Sequence, residues 1–109
     1  MDVHELPELI AQLNRSGQRF FEFLRVPSLS AGVYRLRAGS IDAQSPHTED
    51  EVYYVISGRA SIRVGTEDRS VSAGSTVFVP ATIEHRFHSI EEDLIILVFF
   101  APAEYSLTP

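Results

Sequence analysis

The amino-acid sequence predicts a mostly β chain, a barrel or sandwich of short strands entered through one brief helix. Two observations carry this: helical spacing is confined to the first residues, and strand-like runs broken by turn residues fill the rest. Leu6, Leu9, Ile10 and Leu13 recur at helical intervals, Pro7 suits a first turn, and Ser16-Gly17 supplies a stop, which predicts a helix over about residues 7 to 15. Phe20, Phe21, Phe23 and Leu24 then form an aromatic-rich strand closed by Pro27-Ser28, and a second strand is expected from about Leu29 to Leu36. Further turns are expected at Ala38-Gly39, Ser57-Gly58, Gly65 to Asp68, Ala73-Gly74, Pro80-Ala81 and Glu91 to Asp93. Such frequent punctuation is what short barrel or sandwich strands require.

Two segments, Val52 to Ile56 and Leu94 to Phe100, are apolar at consecutive positions instead of alternating. Each should therefore be covered on both faces, by the core on one side and by a second subunit on the other, which predicts a homodimer. The chain of 109 residues, 44% hydrophobic, suffices for one core. It divides into an N-terminal tail and helix (1–17) and a β domain (18–109) that together form one unit.

Nine Lys and Arg against fifteen Asp and Glu leave a formal charge of -6, which disfavours nucleic acid and anionic membranes as partners. The absence of Cys excludes disulfides, thiolate ligands and thiol nucleophiles together. No basic, apolar leader opens the sequence, and no apolar run approaches the ~20 residues that span a bilayer, so a cytoplasmic protein is expected.

Chemistry concentrates between Gly39 and Gly58 and around His85. On an extended strand Ser45, His47, Glu51 and Tyr53 share parity, so an imidazole and a carboxylate four residues apart can converge if the strand bends. Downstream, Gly74 to His85 delivers a strand, a Pro-marked turn and a second imidazole. Two neutral imidazoles and one carboxylate make a facial three-ligand set with open positions, suited to Fe(II), with Mn, Ni or Zn chemically admissible.

These residues resemble the two motifs of the cupin superfamily. The first, G-x5-H-x-H-x3,4-E-x6-G, is matched from Gly39 to Gly58 with every spacing kept; the second, G-x5-P-x-G-x2-H-x3-N, is matched at Gly74, Pro80 and His85. Three departures stand out: Ser45 replaces the first His, Thr82 the second motif's inner Gly, and Ser89 its final Asn. The resemblance spans about residues 18 to 101. It implies a small double-stranded β-barrel, with His47, Glu51 and His85 as ligands of one divalent metal ion and a small-molecule ligand or substrate as partner. The fourth family ligand is missing; Ser45 through a water, or Gln44 by a turn of its loop, could complete the site.

Other candidates weigh less. His88 has opposite parity to His85 and should face away, and His4 lies in a tail. Tyr53 could line the pocket or, less simply, orient a substrate. Glu49 could point inward while Asp50 turns out to solvent or bonds a turn, and Glu84 is either an acceptor for His85 or exposed. The phenylalanines are read as core and interface packing. Two functional classes follow: a metal-dependent enzyme, dioxygenase- or isomerase-like, or a non-catalytic barrel that binds a small molecule or metal. Without a DNA-binding or other output module in these residues, the first is expected.

Overall fold

The computed structural model describes residues 1–108. One helix, α1 (Leu6–Ser16), precedes six strands: β1 (Phe20–Val26), β2 (Leu29–Leu36), β3 (Asp50–Val64), β4 (Glu67–Ser72), β5 (Thr76–Val79) and β6 (His85–Ala101). All pairings are antiparallel, in the order β1-β2-β6-β3-β4, with β5 also on β3. The two long strands run side by side. Their far halves carry β4 and their near halves carry β5 and β2, so the sheet curls around one core.

That curl explains two misplaced turns. Ser57-Gly58 and Glu91 to Asp93, expected to reverse the chain, lie inside β3 and β6. The ladder between these strands shifts register three times between Val55 and Ser61. Gly and charged residues signal bulges as well as turns, and here they mark the bend of a continuous strand pair. Gly58, at φ +96, is required there: a Cβ would lie 2.2 Å from the Asp93 carbonyl oxygen.

Inward residues of β2 to β6, among them Leu36, Val55, Phe87, Leu94 and Ile96, form the barrel core. The outer face is apolar too, as the sequence reading required, but part of its cover is intramolecular. Leu9 and Leu13 of α1 pack with Val33 and Ile95, joined by Phe21, Phe23 and Ile56. The helix has Pro7 in its first turn and ends on left-handed Gly17. Farther along the same face Val52 pairs with Phe78 and Phe99, and Tyr54 with Leu97. Among the described residues no element covers that stripe fully: Phe78 is 59% exposed and Tyr54 40%.

Candidate metal centre

The site is built by a loop and two strands. Residues 37–49 leave the sheet after β2 and return at β3, so His47 sits on a loop and not on the strand its parity suggested. The loop is nevertheless firmly held. Asp42, buried, accepts from the Tyr34 hydroxyl (3.0 Å), the Gln44 amide (2.9 Å) and the Phe87 backbone N–H (2.9 Å). The His47 carbonyl accepts from the Thr82 amide at 2.7 Å, which ties the loop to the turn leading into His85. Glu51 projects inward from the start of β3 and His85 from the start of β6; both are buried.

These elements bring His47, Glu51 and His85 together, with one ligating atom of each within 4.8 Å of the others. Glu51 Oε1 lies 3.5 Å from His47 Nδ1 and 3.2 Å from His85 Nε2. Among the described residues none of these atoms finds a hydrogen-bond partner, nor does Glu51 Oε2, although all are buried. Asp42 offers the contrast: an equally buried carboxylate with three donors is a structural tie, whereas Glu51 has no hydrogen-bond donor and only the two imidazoles beside it. Donors about 2.1 Å from a shared ion would stand about 3.0 to 3.4 Å apart, between octahedral and tetrahedral arrangements, close to the two distances from Glu51, with the imidazole pair within 4.8 Å. The residues thus fit a divalent ion.

Both rings are oriented from behind. His85 Nδ1 lies 2.9 Å from the Ile83 carbonyl, and His47 Nε2 lies 2.9 Å from Glu104 Oε2. The Ile83 carbonyl can only accept, so it places the His85 ring proton on Nδ1 and leaves the Nε2 lone pair on the side of Glu51, while His47 Nε2 has the Glu104 carboxylate beside it as an ion-pair contact. Burial opposes charge on His85, but Glu51, the Ile83 carbonyl and Asp42 outweigh it and hold its pKa above the ordinary value.

A cavity of about 440 Å³ adjoins His47 and Glu51, walled by Phe20, Val98 and Phe100 with Gln44 and Tyr105 as polar groups. A larger groove of about 720 Å³ lies between β4 and β5, away from the three residues. Ser45, where the first family His would stand, is exposed on the cavity rim. The Gln44 carboxamide is engaged at both ends, donating to Asp42 and accepting from Tyr53 at 3.1 Å. Tyr53, expected to line the pocket, is fully buried and is not among the residues that line this cavity, its phenol pushed well above the ordinary range by burial and then by Glu51.

The lesser candidates fall outside the site. His88 faces away and pairs with Asp68 at 2.8 Å, Glu84 is exposed, and His4 lies tilted against the Phe23 ring. Asp50 is exposed and accepts from the Ala81 amide, a turn bond. Glu49 points inward but serves the segment after β6, accepting from the amides of Tyr105 (2.7 Å) and Leu107 (3.1 Å). Burial would raise its pKa, yet those bonds, with the Thr48 hydroxyl, hold the carboxyl below its ordinary value. Sequence reasoning missed Asp42 and Glu104. The first sits in a loop without periodicity, and the second reaches the site only because β6 carries the chain back across the barrel.

Comparison with known proteins agrees with this architecture. An uncharacterized protein of Streptomyces coelicolor is 48% identical over 104 residues, 95% of this chain and 99% of that one. The solved structure of TT1209 from Thermus thermophilus superposes with a TM-score of 0.73 at 26% identity, covering 94% of this chain and 99% of that one. KdgF from Halomonas matches with a TM-score of 0.69 at 23% identity over 76% of each chain, a likeness of fold alone. The DMSP lyase DddQ from Ruegeria pomeroyi does so with 0.68 at 24%, over 76% of this chain and 47% of that one, again in fold. The family model for the cupin domain matches residues 32–100, from β2 to the end of β6, and the chain belongs to that family.

Proposed function

We propose that this chain is a small metal-dependent cupin that holds one divalent ion through His47, Glu51 and His85 and acts on a small organic molecule in the adjoining cavity. The observation that carries the reading is the convergence of buried, unpartnered imidazole and carboxylate atoms on one point. When bound, an ion with three protein ligands supplies Lewis acidity or dioxygen activation at its open positions. The chain's own groups do the rest. Phe20, Val98 and Phe100 exclude water from one side of the cavity, and Gln44, locked between Asp42 and Tyr53, presents a fixed polar edge. Dioxygenase-like and isomerase-like chemistry both fit this arrangement, as does a barrel that binds its ligand without turnover; the fold hosts all of them.

The test is oxygen uptake by Fe(II)-loaded protein against small phenols, thiols and keto acids, alongside proton exchange or isomerisation of the same compounds followed by NMR. Turnover lost on Glu51→Gln supports catalysis at this centre. Ligand binding at the cavity with no turnover of any metal-loaded form favours the non-catalytic barrel. The uncovered outer stripe of Val52, Tyr54, Phe78, Leu97 and Phe99 supports the further reading that two copies pair through this face.

A further inference from the structure

The segment that follows β6 carries no sequence motif, yet it is among the most firmly tied parts of the molecule. Ala103 is buried and its amide donates to the Pro27 carbonyl. The Glu104 amide donates to Ser30 Oγ at 2.9 Å, and the Arg25 guanidinium donates to the Glu104 carbonyl at 2.7 Å. One residue on, Tyr105 adopts a left-handed backbone (φ 64), a conformation that a bulky residue keeps only when its surroundings impose it. Glu49 imposes it, capping the Tyr105 and Leu107 amides from a carboxylate that is 1% exposed. Glu104 is therefore clamped on both sides, its backbone fixed and its carboxylate brought to His47 Nε2 at 2.9 Å.

We propose that Glu104 is the positioning residue of the centre: its carboxylate, 2.9 Å from His47 Nε2, holds the ring proton on that nitrogen and so leaves the Nδ1 lone pair toward Glu51 and His85. The proposal rests on the reading of those three residues as ligands. It assigns a purpose to the clamped segment, since His47 rides on a loop and has no backbone carbonyl behind its ring of the kind Ile83 supplies to His85. A carboxylate behind a ligating imidazole fixes both its tautomer and its orientation, and loss of such a partner costs about 10- to 100-fold in metal affinity.

Two measurements test it. In metal-free protein, the imidazole nitrogen shifts of His47 should report the Nε2–H tautomer in wild type and in Glu104→Gln, whose amide oxygen still accepts, and a mixture of tautomers in Glu104→Leu. In competitive titration with Zn(II), Glu104→Leu should bind about 10- to 100-fold more weakly than wild type, while Glu104→Gln stays near it. A His47 proton on Nδ1 in the wild-type protein, or zinc affinity in a folded Glu104→Leu equal to wild type, would overturn the proposal. If Glu104→Leu does not fold, the wild-type spectrum and Glu104→Gln decide. Wild-type protein that takes up no Zn(II), Mn(II) or Fe(II) would instead sink the metal reading, and the imidazole spectrum would still show whether Glu104 holds His47.

Discussion

Glu51 is kept at a cost to the metal-free fold. Its carboxylate is 2% exposed and receives no hydrogen bond, and a buried polar group without partners forfeits about 1 to 3 kcal/mol. Glu51→Gln removes the formal charge and offers an amide N–H to the imidazole lone pairs. We expect this variant to be more stable than wild type in the presence of chelator, by about 1 to 2 kcal/mol and so with a higher melting point, and to lose metal binding; a lower melting point would show that Glu51 is already compensated. Thr82 makes a second residue-scale test. It stands where the family motif has Gly, and its φ of 67 puts a β-branched side chain in the left-handed region, the conformation that the motif's Gly accommodates without strain. Ser89, in place of the motif's Asn, is left-handed as well (φ 50). Thr82→Gly should stabilise the fold by about 1 kcal/mol, read as a rise in midpoint denaturant concentration at unchanged slope. No change would mean that the Thr82 hydroxyl bond to the Ala81 carbonyl offsets the strain.

At the scale of elements, the helix and the first two strands were legible because their signals are local. Pro7, the apolar spacing and Gly17 bound α1, and Pro27-Ser28 separates β1 from β2. The pairing of β3 with β6 was not, because two bulged strands bending together leave the same Gly and charged residues as two hairpins do. Motif spacing singled out His47, Glu51 and His85, which the fold brings together, although His47 is not on a strand; spacing holds whatever the local backbone does, whereas parity does not. Parity did hold for His88, which points away on β6. Consecutive apolar residues in β6 required cover on both faces, and α1 supplies it at Ile95 while Leu97 and Phe99 remain half-buried. We expect light scattering at micromolar concentration to give about twice the chain mass. Leu97→Glu, on the uncovered stripe, should return a folded monomer, and wild-type protein that is already monomeric would contradict the pairing.

At the scale of the whole molecule, three distant stretches meet at one point. The loop after β2 brings His47, the bent pair β3 and β6 bring Glu51 and His85, and the segment beyond β6 closes behind His47. An ion bound there would join these parts in the native state alone and stabilise them by linkage, about 2.7 kcal/mol at a hundredfold excess over its dissociation constant. The most direct test is metal stoichiometry by elemental analysis after equilibration with Zn(II) or Mn(II) and removal of free ion. It is made on wild type, His47→Ala, Glu51→Ala, His85→Ala and His88→Ala. One equivalent in wild type and His88→Ala, with strong loss in the other three, is the result predicted. Metal retained by His85→Ala and lost from His88→Ala, or no uptake by the wild-type protein, would contradict the account.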